Sequence, residues 1–110
     1  MTSTQAKKQL TDFLEHHAFQ PVLRAKPDRF SPAQRDELTD LQGRTRTEVE
    51  RFRGYGSAEA VVINFRRDLH SAKAREVQHR LSRLGLPVLP EVREDFEALA
   101  NRLAVSGDGS

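Results

Sequence analysis

The chain has 110 residues, 36% hydrophobic and 31% charged, with no Cys and no Trp, which describes one small domain. Its 18 basic and 16 acidic residues leave a net charge of only +2, and Leu, Ile, Val and Phe supply a modest core. The composition excludes a disulfide framework, a thiolate nucleophile and any Cys-based zinc or iron–sulfur site, and no apolar run approaches the ~20 residues that span a bilayer.

Leu10, Phe13, Leu14 and His17 recur at helical spacing behind Ser3 and Thr4, two residues able to cap a helix, so a first helix is expected over about 4–18. Pro21 should stop or bend it. The segment Phe19 to Phe30 holds Pro21 and Pro27 but is too apolar for a free linker, and should lie over the core. Ser31, Pro32 and Gln34 form the strongest local signal in the chain. The hydroxyl accepts from an early amide, Pro stands where no amide is needed, and Gln reaches back to the cap. A second helix over 32–53 follows, with Leu38, Leu41, Val49 and Phe52 as its stripe. Its middle, Arg44 to Thr47, is bare of apolar groups, and an interior Gly43 costs only about 1 kcal/mol.

Gly54-Tyr55-Gly56 reads as a turn, after which Ser57 caps a third helix over 58–69 with Val61, Val62, Phe65 and Leu69 on one face. Continuing that phase would bury Lys73, Glu76 and Arg80, whereas the apolar residues fall at Ala74, Val77, Leu81 and Leu84. The slip predicts a break at His70-Ser71 and a separate helix over 72–84 capped by Ser71. Gly85 stands where a left-handed carboxyl cap is wanted, and Pro87 and Pro90 forbid continuation. Leu86, Val88 and Leu89 should be pinned to the core. Pro90 opens a last helix over 90–104 with Val92, Phe96, Leu99 and Leu103 on one face. No alternating strand pattern persists. The expected fold is an all-α single-domain bundle of four or five helices over residues 1–105, with a disordered tail over 106–110.

Catalytic and cofactor signatures are missing. Glu76 and His79 match one Glu-x-x-His pair of a carboxylate-bridged di-iron bundle, but no second pair exists, so no metal or other cofactor is expected. His17 reads as a half-buried imidazole bonded to a backbone carbonyl. His70, beside Asp68 and Ser71, lacks the oxyanion loop and nucleophile elbow of a hydrolase and is expected to fill the corner between two helices. The six Gly form no phosphate loop.

Two surfaces carry the functional expectation. The 58–84 region bears Arg66, Arg67, Lys73, Arg75, Gln78, His79, Arg80 and Arg83, while the last helix is acidic through Glu91, Glu94, Asp95 and Glu97. Either these neutralise one another within the bundle, or the basic set is the contact for a partner. The thin core and the Arg/Thr-rich waist of the second helix favour a noncatalytic protein-interaction or structural module that self-associates, through a helix face or the Val88-Leu89 loop. The alternative is a nucleic-acid-binding protein in which the pair joined at His70-Ser71 acts as a helix-turn-helix with a basic second helix. Either form is expected in the cytoplasm, without membrane contact.

Overall fold

The computed structural model describes residues 2–108. The first helix starts earlier than Ser3 and Thr4 suggest. Thr2 is the cap: its hydroxyl accepts from the N–H of Gln5 at 3.1 Å, and the Gln5 side chain accepts from the N–H of Thr2 at 2.9 Å. From this capping box α1 (Ser3–Leu14) runs without a break into a π-helical turn (Glu15–Phe19) and a short α2 (Gln20–Leu23). The expected stop near Ala18 is therefore corrected to Leu23. Leu10, Leu14, Ala18 and Val22 are all buried at four-residue steps. At 3.6 residues per turn such a series drifts by about 40° per step. The wide turn takes part of that drift back and keeps the later members facing inward. Within it the N–H of Gln20 reaches the carbonyl of Glu15, five residues back, and Pro21 follows at the start of α2, where it does not end the helix.

A 3₁₀ turn (Pro27–Arg29) leads to α3 (Pro32–Arg53), which begins on the expected capping box. Ser31 Oγ accepts from the N–H of Gln34 at 3.4 Å, and Gln34 Oε1 accepts from the N–H of Ser31 at 3.1 Å. The helix passes Gly43 uninterrupted. Its apolar-poor waist is accommodated by two buried polar side chains. Thr45 turns its hydroxyl back to the carbonyl of Leu41 at 2.8 Å, and the Gln42 amide donates to the carbonyls of Val22 (3.1 Å), Leu23 (3.4 Å) and Ala25 (3.1 Å). A waist closed in this way does not require a second chain to bury it.

Two helices meet at a single residue. In α4 (Ala58–His70), Ser57 Oγ accepts from the N–H of Ala60 at 3.1 Å; in α5 (Ala72–Arg83), Ser71 Oγ accepts from the N–H of Ala74 at 3.4 Å. Ser71 also donates its own N–H to Arg67 O at 2.9 Å, so it closes one helix and opens the next. The predicted break is present. The end of α5 is a Schellman motif: Leu86 N–H donates to Leu81 O, Gly85 N–H donates to Ser82 O, and Gly85 has φ +74°. The final helix, α6 (Leu89–Asp108), begins one residue before Pro90. Of the tail expected over 106–110, Gly109 and Ser110 lie outside the described residues.

The fold is all-α. α1 packs against α4, α6 and α3, and α2 against α3. The interior is divided. The larger cluster joins Leu10, Leu14, Phe19, Phe52, Phe65 and Phe96, with the Phe65 and Phe96 rings 4.0 Å apart. A smaller one joins Val22, Leu38, Leu41, Leu81, Leu84 and Val88. Val88 and Leu89 are buried in these clusters, as pinning required. That burial rules out the Val88-Leu89 loop as a free self-association contact.

Candidate binding surface at the α4–α5 corner

The structure separates the eight side chains singled out in the sequence. Arg66 makes a two-pronged pair with Glu97 on α6, at 2.8 and 2.7 Å. Its guanidinium bonds hold the Glu97 carboxyl below the usual carboxylate range. Arg80 reaches two acids on α3, Glu37 at 3.1 Å and Asp40 at 2.9 Å, and Arg83 approaches Glu37 at 3.5 Å. Bonds from Arg80 and then Arg44 likewise depress the Asp40 carboxyl. Gln78 accepts the N–H of Leu89 at 2.7 Å and so ties α5 to the start of α6. These four side chains are engaged within the chain. Arg67, Lys73, Arg75 and His79 are exposed and have no ion-pair partner among the described residues.

The acids sort in the same way. Glu97 is consumed by Arg66, while Glu91, Glu94 and Asp95 on the first turns of α6 are exposed without an ion pair among the described residues. Ile63, the exposed large hydrophobic among the described residues, lies one helical turn before Arg67 on α4. Among the described residues the α4–α5 corner thus leaves Arg67, Lys73 and Arg75 unpaired, with Glu76 exposed beside them, and the start of α6 leaves Glu91, Glu94 and Asp95 unpaired, with Arg93 exposed among them.

Beneath the corner is an ionic node that sequence reasoning missed. Arg51 on α3 pairs with Glu48 on its own helix and with Asp68 on α4, and donates to the Tyr55 hydroxyl at 2.6 Å. It also lies 4.8 Å from the centroid of the Phe52 ring. Desolvation opposes the Arg51 charge, but the two carboxylates outweigh it and hold the guanidinium above its ordinary pKa. Burial pushes the Asp68 carboxyl above the usual carboxylate range, although Arg51 pulls the other way. Asp68 and Arg51 are seventeen residues apart on different helices, so spacing gave no signal for the pair.

Next to this node is a half-enclosed groove of about 500 Å³. It lies between the waist of α3 and the first half of α5. Its floor includes Phe19 from the π turn, Val22, Val77, Leu81 and Leu89, and Arg44, Glu48, Arg51, Asp68 and Lys73 stand around it.

The histidines take no part. His17 is exposed, its ring tilted against that of Phe13 with the centroids 4.5 Å apart, which corrects the half-buried reading. The π turn moves it off the buried stripe that Leu10 and Leu14 begin. His70 is exposed and does not fill the corner, because Ser71 alone makes the turn. Glu76 and His79 are both exposed on α5, and no group of three or more metal-ligating side chains is gathered among the described residues. Among the same residues no helix is long and apolar enough to cross a membrane. Compared with protein-family models, curated proteins and solved structures, the chain matches none of them.

Proposed function

We propose that the protein is a noncatalytic interaction module that associates with a second copy of itself, the basic α4–α5 corner of one chain meeting the acidic start of α6 in the other. One observation carries this reading. After internal pairing has consumed Arg66, Arg80, Arg83 and Glu97, the cations Arg67, Lys73 and Arg75 and the acids Glu91, Glu94 and Asp95 remain exposed as complementary sets. Exposed pairs contribute about 0.2–1 kcal/mol each, so the association is weak and salt-sensitive, with Ile63 adding apolar area beside Arg67.

A charge swap tests it. Sedimentation equilibrium at low salt should show a concentration-dependent dimer that dissociates as salt rises. Arg75→Glu and Glu94→Lys should each weaken it alone, and mixing the two variants should restore a heterodimer. A monomer at all concentrations, or variants that self-associate like the parent, overturns the reading. Retention on duplex DNA that falls steeply with salt would favour the nucleic-acid alternative instead. The internal engagement of Gln78 and Arg80 counts against that alternative, since a groove-reading helix needs such side chains free.

A further inference from the structure

We propose that the groove between α3 and α5 is a small-molecule site for an apolar monocarboxylate, whose chain lies on Phe19, Val22, Val77, Leu81 and Leu89 and whose carboxylate meets Lys73. Three features of the groove carry this assignment.

The first is its size and position. The half-enclosed space of about 500 Å³ corresponds to about seventeen waters at ~30 Å³ each. It falls within the roughly 300–1,000 Å³ of ordinary ligand pockets. It also lies where the two hydrophobic clusters fail to join, since Phe19 and Leu89 belong to one and Val22 and Leu81 to the other.

The second is the unfinished packing of α5. Leu81 and Leu84 in its later half are buried, but Ala74 and Val77, on the same stripe, are only partly buried and line the groove. Opposite them α3 presents Thr45 and Thr47 instead of large apolar groups, so an apolar chain completes the contact that the protein's own side chains do not make.

The third is charge. Around the groove Arg51 is held between Glu48 and Asp68, and Arg44 is paired with Asp40 at 3.2 Å. Lys73 is the lining cation that has no carboxylate partner among the described residues. Both lining carboxylates already accept from Arg51, so a cationic head would find no free acid there, while an anionic head finds Lys73.

Decanoate is a suitable probe, with decyltrimethylammonium as the cation of equal chain length and acetate as the headgroup alone. In methyl-detected NMR titrations of the full chain, decanoate should bind one to one with Kd between about 10 µM and 1 mM, and shift the methyls of Val22, Val77 and Leu81. Acetate should shift none of them, and the cation should bind more weakly than decanoate. Lys73→Gln should weaken decanoate about fivefold. Val77→Trp, which fills the groove, should abolish the methyl shifts at Val22 and Leu81; Ala74→Met is the gentler filler if the Trp variant unfolds. Lys73 is common to both surfaces, whereas Arg75 lies outside the lining, so Arg75→Glu should leave decanoate affinity within about twofold while weakening self-association, and the two proposals fail separately. No saturable binding up to about 5 mM, equal affinity for the cation, or shifts confined to another face overturns the assignment.

Discussion

Gln42 provides a quantitative test of how the chain closes its waist. Its amide nitrogen faces three carbonyls, those of Val22, Leu23 and Ala25. Val22 O keeps another donor, the N–H of Ala25 at 3.2 Å. Leu23 O has no such reserve four residues on, because Pro27 has no N–H. Replacing Gln42 by Leu removes two full donor protons and leaves at least one carbonyl poorly served. Two hydrogen bonds at ~1 kcal/mol each, plus part of the desolvation penalty of an unserved carbonyl, less the gain from burying Leu, give a loss of about 2 kcal/mol. The midpoint of thermal unfolding should drop by about 8–16 °C, and the urea midpoint should fall at unchanged slope. Gln42→Glu sharpens the test, since only the protonated acid can donate to those oxygens. Its carboxyl pKa would be raised in the folded state, so the variant should lose stability as pH rises from about 4 to about 7. A change below about 0.5 kcal/mol for Gln42→Leu, or a Gln42→Glu variant indifferent to pH, refutes this account of the waist.

Three further outcomes can be measured on the same scale. Phe65→Ala, in a fully buried ring 4.0 Å from Phe96, should cost about 3–5 kcal/mol by chemical denaturation, and a cost near 1 would mean that the larger cluster collapses into the space. Gly85→Ala should cost about 1–2 kcal/mol through its left-handed φ alone, since a Cβ there meets no atom within 4 Å, and a neutral substitution would argue against the Schellman cap. The third outcome concerns pH. Asp68, raised in the folded state, contributes stability below its unfolded pKa that is lost as pH rises through the folded value; Glu97, depressed, contributes stability above its unfolded pKa that is lost as pH falls through the folded value. The penalty of Asp68→Asn should therefore shrink between about pH 3 and pH 7 while that of Glu97→Gln grows, and the reverse order would contradict both directions.

The helices were legible wherever the signal is local. Ser31 with Gln34, Ser57, Ser71 and Gly85 each act through bonds that span three to five residues, so the sequence displays the whole interaction. The register slip between Leu69 and Ala74 was legible for the same reason. Pro21 misled because proline argues only that one amide is missing, and a π turn upstream removes the conflict. Gln42 could not be read, since its partners stand 17 to 20 residues away and nothing about a lone Gln announces burial. The same limit hid the Arg51–Asp68 pair and the groove. The basic residues were found as a set, but which of them remain unpaired depends on acids 31 to 46 positions distant, and composition does not order those pairings.

Because the groove parts the two clusters, protection from hydrogen exchange should be graded across the molecule. Deep amides in α1, α4 and α6 belong to the larger cluster, and their release toward deuterium requires the whole chain to unfold. Those near Leu38, Leu81 and Leu84 depend on the smaller one, which stays tied to its neighbour through α3, since that helix places Leu38 and Leu41 in the smaller cluster and Val49 and Phe52 in the larger. Within that cluster α5, which buries Leu81 and Leu84 there and is joined to α4 only through Ser71, is the element whose amides should exchange first.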